Sequence, residues 1–449
     1  MPEASSLSAR PDPTTAGSAT AGSGSATAGS GSATSDGASA EAAAGHAPPA
    51  RPATHGGGAL LVLLGTLTAI GPLSLDMYLP AFPAMTADLH ATPAQIQLSL
   101  TTCLIGLALG QLVTGPLSDR FGRRLPVLIG VTAYALLALA CAAAPSAGVL
   151  AATRFVQGFA GGTGVVVARA IVRDLYSGRA AAKYFSRLTL VFGVAPVAAP
   201  SLGSLVLGGF GSWRWVFLTL GAIGLLLAAA VAWRLPETLP VQRRTTGGLG
   251  ATARAMRRLS ADRIYLGYAL TQGLAFAGLF AYISGSSFVF QDVFGLPSGV
   301  FSLIFGANAL ALVATGQLNA RLLDRTGPRP LLVTTLIVGV AAGAGLLAGA
   351  AAGAVVPVAV ALFVFVGSLG MVMPNSTALA LDRHPEAAGT AAALMGAVQS
   401  VVGALAAPLV GLGGAGSAVP MALVVVGAAV LSLAAVLTLA RSGTRTAAA

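Results

Sequence analysis

Twelve apolar stretches separated by short polar connections constrain this chain more than any other feature. Each holds roughly 20 to 25 residues, enough at ~1.5 Å per helical residue to cross ~30 Å of hydrocarbon. They run over 59–82, 94–117, 125–144, 147–170, 186–207 and 214–234, then 264–286, 297–319, 330–351, 355–379, 388–411 and 418–440. With 55% hydrophobic and 9% charged residues, polar surface is too scarce for a water-soluble globule of 449 residues. An all-α membrane protein is expected.

The polar run GPLSDRFGRR at 115–124, between the second and third stretches, returns as DRTGPR at 324–329. Asp119 to Gly122 and Asp324 to Gly327 have identical spacing, although the upstream glycine slips by one position. The chain therefore reads as two copies of one plan: twelve transmembrane helices in two pseudo-symmetric six-helix bundles. The expected organisation is a low-complexity tail (1–57), a first bundle (58–235), a central loop (236–263), a second bundle (264–441) and a short tail (442–449).

Net charge is +11, which in a soluble protein would suggest nucleic acid. The placement says otherwise. Basic residues fill alternate connections, and the others hold no Lys or Arg apart from Arg214. By the positive-inside rule both termini are cytoplasmic, and the excess charge is a topology signal. In the central loop, residues 251–259 fit either an amphipathic helix on anionic headgroups or a solvated linker.

The N-terminal tail contains a tandem ATAGSGS repeat and lacks the apolar core of a cleaved signal, so it is expected to be disordered and dispensable for transport. Cys103 and Cys141 lie within apolar runs and read as small core residues, and the four histidines are scattered. No metal site or cofactor is expected.

An ionisable group inside a span costs at least ~2.5 kcal/mol, so each calls for a reason. Asp76 is the acid well within a span, in PLSLDMYLP, where Pro72 and Pro80 stand four residues to either side and remove backbone donors. The helix should kink around it, and an acid so placed is a candidate reversible proton carrier. Arg154 lies at comparable depth in the fourth span. Two readings of it are open: pairing with Asp76, directly or through water, which would modulate the acid's proton affinity, or bonding helix-end carbonyls.

Gly193, Pro196, Pro200 and Gly203 mark the fifth span as bent and closely packed, as two rocking halves require. Met77, Tyr78, Gln157, Tyr282 and Phe288 are candidate cavity residues, each equally an ordinary packing residue. No P-loop is present to hold ATP, and no cluster of intramembrane nucleophiles suggests an enzyme.

Twelve spans, a six-plus-six repeat and GPLSDRFGRR after the second span resemble the major facilitator superfamily. LDMYLPAFP, RFVQGFAGG, RAIVRDLYSG, GVAPVAAPSLG, WRWVF and LPETL are similar to the Bcr/CflA branch of drug:proton antiporters, as are AYISGSSFVFQDVFGL, FGANAL and AGTAAALMGAVQ in the second half. The resemblance implies an alternating-access exporter of small hydrophobic or cationic compounds in exchange for protons, working as a monomer in the plasma (inner) membrane. A transporter of a physiological metabolite on the same scaffold is the alternative.

It further implies that Gly115, Asp119, Arg120, Gly122 and Arg123 form a conformational latch, with Asp119 bracing the start of the eleventh span near Ala388, Gly389 and Thr390. Asp324, Arg325 and Gly327 are a weaker echo, bracing the fifth span near Ser186. Asp76 and Arg154 match the branch's first-span acid and fourth-span arginine. The chain departs in offering no second acid between Thr68 and Asp76.

Overall fold

The computed structural model describes residues 57–176, 178–244, 249–384, 388–412 and 416–440. These fold into fourteen α-helices, and among the described residues there is no strand. The first half comprises α1 (Gly57–Asp76), α2 (Phe82–Asp88), α3 (Pro93–Phe121), α4 (Arg124–Ala142), α5 (Ala147–Leu175), α6 (Gly178–Phe210) and α7 (Arg214–Arg234). A surface helix α8 (Leu249–Ala261) leads to α9 (Arg263–Phe288), α10 (Ser298–Thr326), α11 (Pro328–Ala351), α12 (Val355–Leu381), α13 (Ala388–Leu412) and α14 (Val419–Thr438). Twelve segments are long and apolar enough to cross a membrane, with α1 and α2 together forming the first.

Two boundaries differ from the sequence reading for a visible reason. The fifth helix begins at Gly178 rather than 186, because Lys183 and Arg187 ride on a helical extension beyond the apolar segment Gly193–Phe210. The fourth runs on to Leu175, past the charged Arg169 and Arg173. Helical geometry persists where hydropathy stops, since every backbone group stays paired.

Glycines set the closest approaches. In α3 and α5, a Cβ on Gly106, Gly110 or Gly158 would strike the facing backbone at Phe155, Phe159 or Cys103. Small residues thus bring these two helices into backbone contact. The repeated turns are matched in conformation too: Gly122 has φ +94° and Gly327 φ +74°, a region that favours glycine.

Arg214, the exception to the charge alternation, is neutralised locally. Its guanidinium donates to the Ala142 and Ala144 carbonyls at the end of α4, pairs with Asp88 at 3.1 Å, and lies 4.4 Å from the Trp213 ring centroid. In the central loop α8 forms as one of the two readings required. Its Leu259 is buried while Arg254, Arg257 and Arg258 are exposed.

The two bundles are joined at one end. Among the described residues, every hydrogen bond between them lies at the face remote from the basic connections. Gln97 donates to the Ser284 carbonyl, Thr101 to Ala404, Ser287 to Leu79, Gln291 to Pro80 and Ser302 to Pro200, while Ser204 meets both Ser298 and Ser302. All involve neutral groups. At the basic face, the ion pairs described stay within one bundle.

Candidate functional site

The first helix does more than kink around Asp76: it ends there. Met77 N–H makes the last bond of α1, to the Leu73 carbonyl, and a short 3₁₀ turn (Leu79–Ala81) precedes α2. Pro80 has no N–H to return to the Asp76 carbonyl, which ends the ladder there. Asp76 therefore sits at a helix end within the membrane, 5% exposed, and no hydrogen bond or ion pair reaches its carboxylate among the described residues.

Arg154 is fully buried, but it is not bonded to Asp76. One guanidinium nitrogen donates to the Ser74 carbonyl, left free by the break in α1, and the other donates to Gln157 Oε1 at 2.7 Å. Its charge is spread over two rings, 4.5 Å from the Tyr78 centroid and 5.6 Å from Phe217. Of the two readings of Arg154, the structure has the helix-end carbonyl. The arginine pins the turn that carries Asp76.

Tyr282 of α9, in the second bundle, is buried. Tyr282 Oη accepts a hydrogen bond from Asn308 of α10 at 2.9 Å and its ring stacks on Phe305. Asn308 was not singled out from sequence. A neutral amide in an apolar run leaves little trace in hydropathy, and only its burial at 1% with a polar partner marks it.

Tyr78, Met77, Gln157, Tyr282 and Phe288 are all buried. Tyr78 bonds Ser99 at 3.1 Å and packs on Phe82, which in turn meets Phe288. In this arrangement they form a packed floor at the joined face rather than an open cavity wall. Around this floor the fifth membrane helix, α6, fits tightly: a Cβ on Gly203 would collide with the Met77 carbonyl oxygen. The carbonyl of Pro200 accepts from Ser302, and Gly193 faces Val313 of α10. Pro196 lies in the same unbroken helix. This segment thus touches both the break beside Asp76 and the opposing bundle.

At the basic face, the GPLSDRFGRR turn is organised by Arg123, which is 5% exposed. It donates to Ser118 at 2.7 Å, to Asp119 at 2.6 Å and to Asp174 of α5 at 2.8 Å. Burial works to lower its pKa, but the two carboxylates outweigh this and raise it. Glu237, just after α7, accepts the backbone N–H of Arg123 at 2.8 Å, of Arg124 at 3.2 Å and of Leu239 at 2.9 Å. It caps α4 from a distant part of the chain, where no local side chain does so. A Cβ on Gly122 would strike that carboxylate. Burial works to raise the pKa of Glu237, and these N–H donors with Arg244 hold it below the ordinary value.

Asp119 is bonded to Arg123; of the expected brace, the side chains of Ala388 and Gly389 lie outside the described residues, and no described contact takes Asp119 to Thr390. Gly115 accepts from Ser118 through its carbonyl, and Arg120 lies 5.3 Å from the Phe121 ring. The echo is looser. Asp324 and Arg325 are exposed, with no hydrogen bond or ion pair described, and the Ser186 side chain lies outside the described residues. The second bundle has its own basic-face knot, in which Asp262 caps α9 and pairs with Arg383 at 3.0 Å and His384 at 2.9 Å.

Twelve membrane helices in two bundles, a broken first helix carrying a buried acid and a glycine-turned loop after the second span are the features of a membrane transporter rather than an enzyme. The chain belongs to the Major Facilitator Superfamily, whose model matches residues 64–408. It is 41% identical over 379 residues to an uncharacterized MFS-type transporter of Bacillus subtilis, covering 84% of this chain and 94% of that protein. It is 36% identical over 362 residues to a bicyclomycin resistance protein homolog of Haemophilus influenzae (80% and 91% covered), and 34% identical over 276 residues to a chloramphenicol resistance protein of Pseudomonas aeruginosa (61% and 64%). These names agree with the resemblance to the Bcr/CflA-type branch. Solved structures share the fold: a nucleoside transporter (TM-score 0.71, 13% identity, 85% and 99% covered) and a bacterial homolog of the lysosomal transporter Spinster (TM-score 0.67, 16% identity, 86% and 98%).

Proposed function

We propose that the protein is a proton-driven exporter of small, largely hydrophobic compounds, acting as a monomer in the plasma (inner) membrane with its termini on the cytoplasmic side. The observation that carries this is Asp76: a buried carboxylate without a countercharge among the described residues, held at a helix break whose Leu79 and Pro80 carbonyls accept hydrogen bonds from the opposing bundle. Such an acid can load a proton when one face is open and release it when the other is. The resistance-related names of the relatives support export of small hydrophobic molecules.

On this reading the basic connections lie in the cytoplasm, and the structure corresponds to a state sealed toward the outside. That explains the latch. Asp119 folds back onto Arg123 here, and it would reach the start of α13 when the cytoplasmic ends of the bundles close.

The test uses the full chain in proteoliposomes loaded with a pH dye. Adding a hydrophobic fluorescent substrate on one side should move protons the opposite way, and an imposed pH gradient should accumulate that substrate. Substrate movement with no proton flux at any pH gradient would refute the coupling.

A further inference from the structure

We infer that Ser287 and Gln291 of the second bundle clasp the break in the first helix and are the positioning residues that keep the substrate-free carrier from turning outward, so that protons enter only in exchange for substrate. This deepens the export reading and rests on it.

The break leaves acceptors that a continuous helix would have used. Pro83, four residues after Leu79, has no N–H to return to the Leu79 carbonyl, which keeps only the tighter bond from Phe82 N–H. Its second lone pair takes the Ser287 hydroxyl at 2.6 Å. The side-chain amide of Gln291 donates to the Pro80 carbonyl at 3.2 Å and to Ser287 Oγ at 2.8 Å. One amide thus bears on both carbonyls, on the second directly and on the first through the serine.

The second bundle departs from regular winding where it makes this grip. α9 ends at Phe288 and passes into a π-helical turn, Val289–Val293, which carries Gln291 back onto Ser287. Phe288 packs its ring on Phe82 at 5.6 Å, and Ser287 and Leu79 are fully buried, so water is kept from replacing the serine while the face is closed.

On the other side the gripped turn is fixed to its own bundle. Arg154 donates to the Ser74 carbonyl, Tyr78 bonds Ser99, and the Met77 carbonyl oxygen lies against Gly203. Asp76 stands three residues before Leu79 within this held segment. Parting the bundles would give the Leu79 and Pro80 carbonyls to water and admit water toward Asp76 in one movement.

Antiport requires such a hold. An empty carrier that turned outward would collect a proton on Asp76 outside and release it inside, with nothing exported. Each neutral hydrogen bond of the clasp disfavours that turn by about fivefold in equilibrium constant. A bound substrate offsets the clasp only through contacts it makes better in the outward state.

The test uses the full chain in proteoliposomes enclosing a pH dye, acid outside, with the membrane potential clamped and no substrate. In parallel, Ser286→Cys, with Cys103 and Cys141 replaced by alanine, reports opening of the joined face to an impermeant thiol reagent; Ser286 is buried and its hydroxyl has no partner. Gln291→Leu and Ser287→Ala should each speed labelling about fivefold and admit protons above the native rate. Adding Asp76→Asn should return proton entry to the native rate and leave labelling fast, a result that mere loosening of the fold would not give. Unchanged labelling in both variants, faster labelling without proton entry, or proton entry that survives Asp76→Asn overturns the inference. If one variant fails to fold, the other decides. Substrate-driven proton movement is measured on the native chain: its absence refutes the export reading, while labelling still judges the clasp.

Discussion

Gly411 offers a direct way to disturb the joined face. It lies on α13 where that helix meets α3, and a Cβ there would stand 2.5 Å from Ala94 Cα and 2.5 Å from Gln97 Oε1. Both are far inside van der Waals contact, and one is backbone. Gln97 has little freedom to retreat, since it is 2% exposed and its amide donates to the Ser284 carbonyl at 3.1 Å. Gly411→Ala should therefore cost the closed arrangement about 1 to 3 kcal/mol of overpacking, and cost nothing once α3 and α13 separate. That is a population shift of about 5- to 150-fold toward the state open at the opposite face. The assay is labelling by a membrane-impermeant thiol reagent, after replacing Cys103 and Cys141 by alanine. Ser286→Cys reports the joined face, where Ser286 is fully buried with no partner for its hydroxyl, and Gln399→Cys reports the basic side. Gly411→Ala should speed labelling of the first from the opposite face and slow the second from the basic face. Unchanged rates at both positions would refute the reasoning, because the gate would then not part along α3 and α13.

Two further perturbations address the basic face. Glu237→Ala removes the long-range cap of α4 and should lower stability by about 1 kcal/mol, discounted for exposure, read as a lower unfolding temperature in detergent; an unchanged temperature would show that water replaces the carboxylate without loss. Asp262 is held at about 2 by Arg383, His384 and the backbone N–H groups of Ile264 and Tyr265, against burial, which works to raise it. A folded pKa below the ordinary 3.8 means that its contribution is present above about pH 4 and lost as pH falls toward 2. Asp262→Asn should lower stability at pH 6 and converge with the native protein near pH 2, and parallel curves over that range would contradict this.

Much of the fold was legible in the sequence because hydropathy and charge alternation act locally. Twelve spans, the repeat and a distortion of the first helix around Asp76 all follow from residues adjacent in the chain. Asp76 and Arg154 stood out because charge in a membrane is costly. The groups that organise the site in space did not. Glu237 and Asp174 reach Arg123 from about 115 and 50 positions away, at the ends of other helices. Asn308, Gln97 and Gln272 are neutral, so nothing in their neighbourhood sets them apart from packing residues. The proposed Asp119 brace would depend on which face is closed, a property of the state rather than of the sequence.

The account centres on Asp76 as the proton carrier, and Asp76→Asn in proteoliposomes tests it most directly. The substitution keeps size and polarity and removes the titration. Exchange of substrate for substrate across the membrane should persist, while accumulation driven by a pH gradient should vanish. Undiminished gradient-driven accumulation by Asp76→Asn would contradict the account.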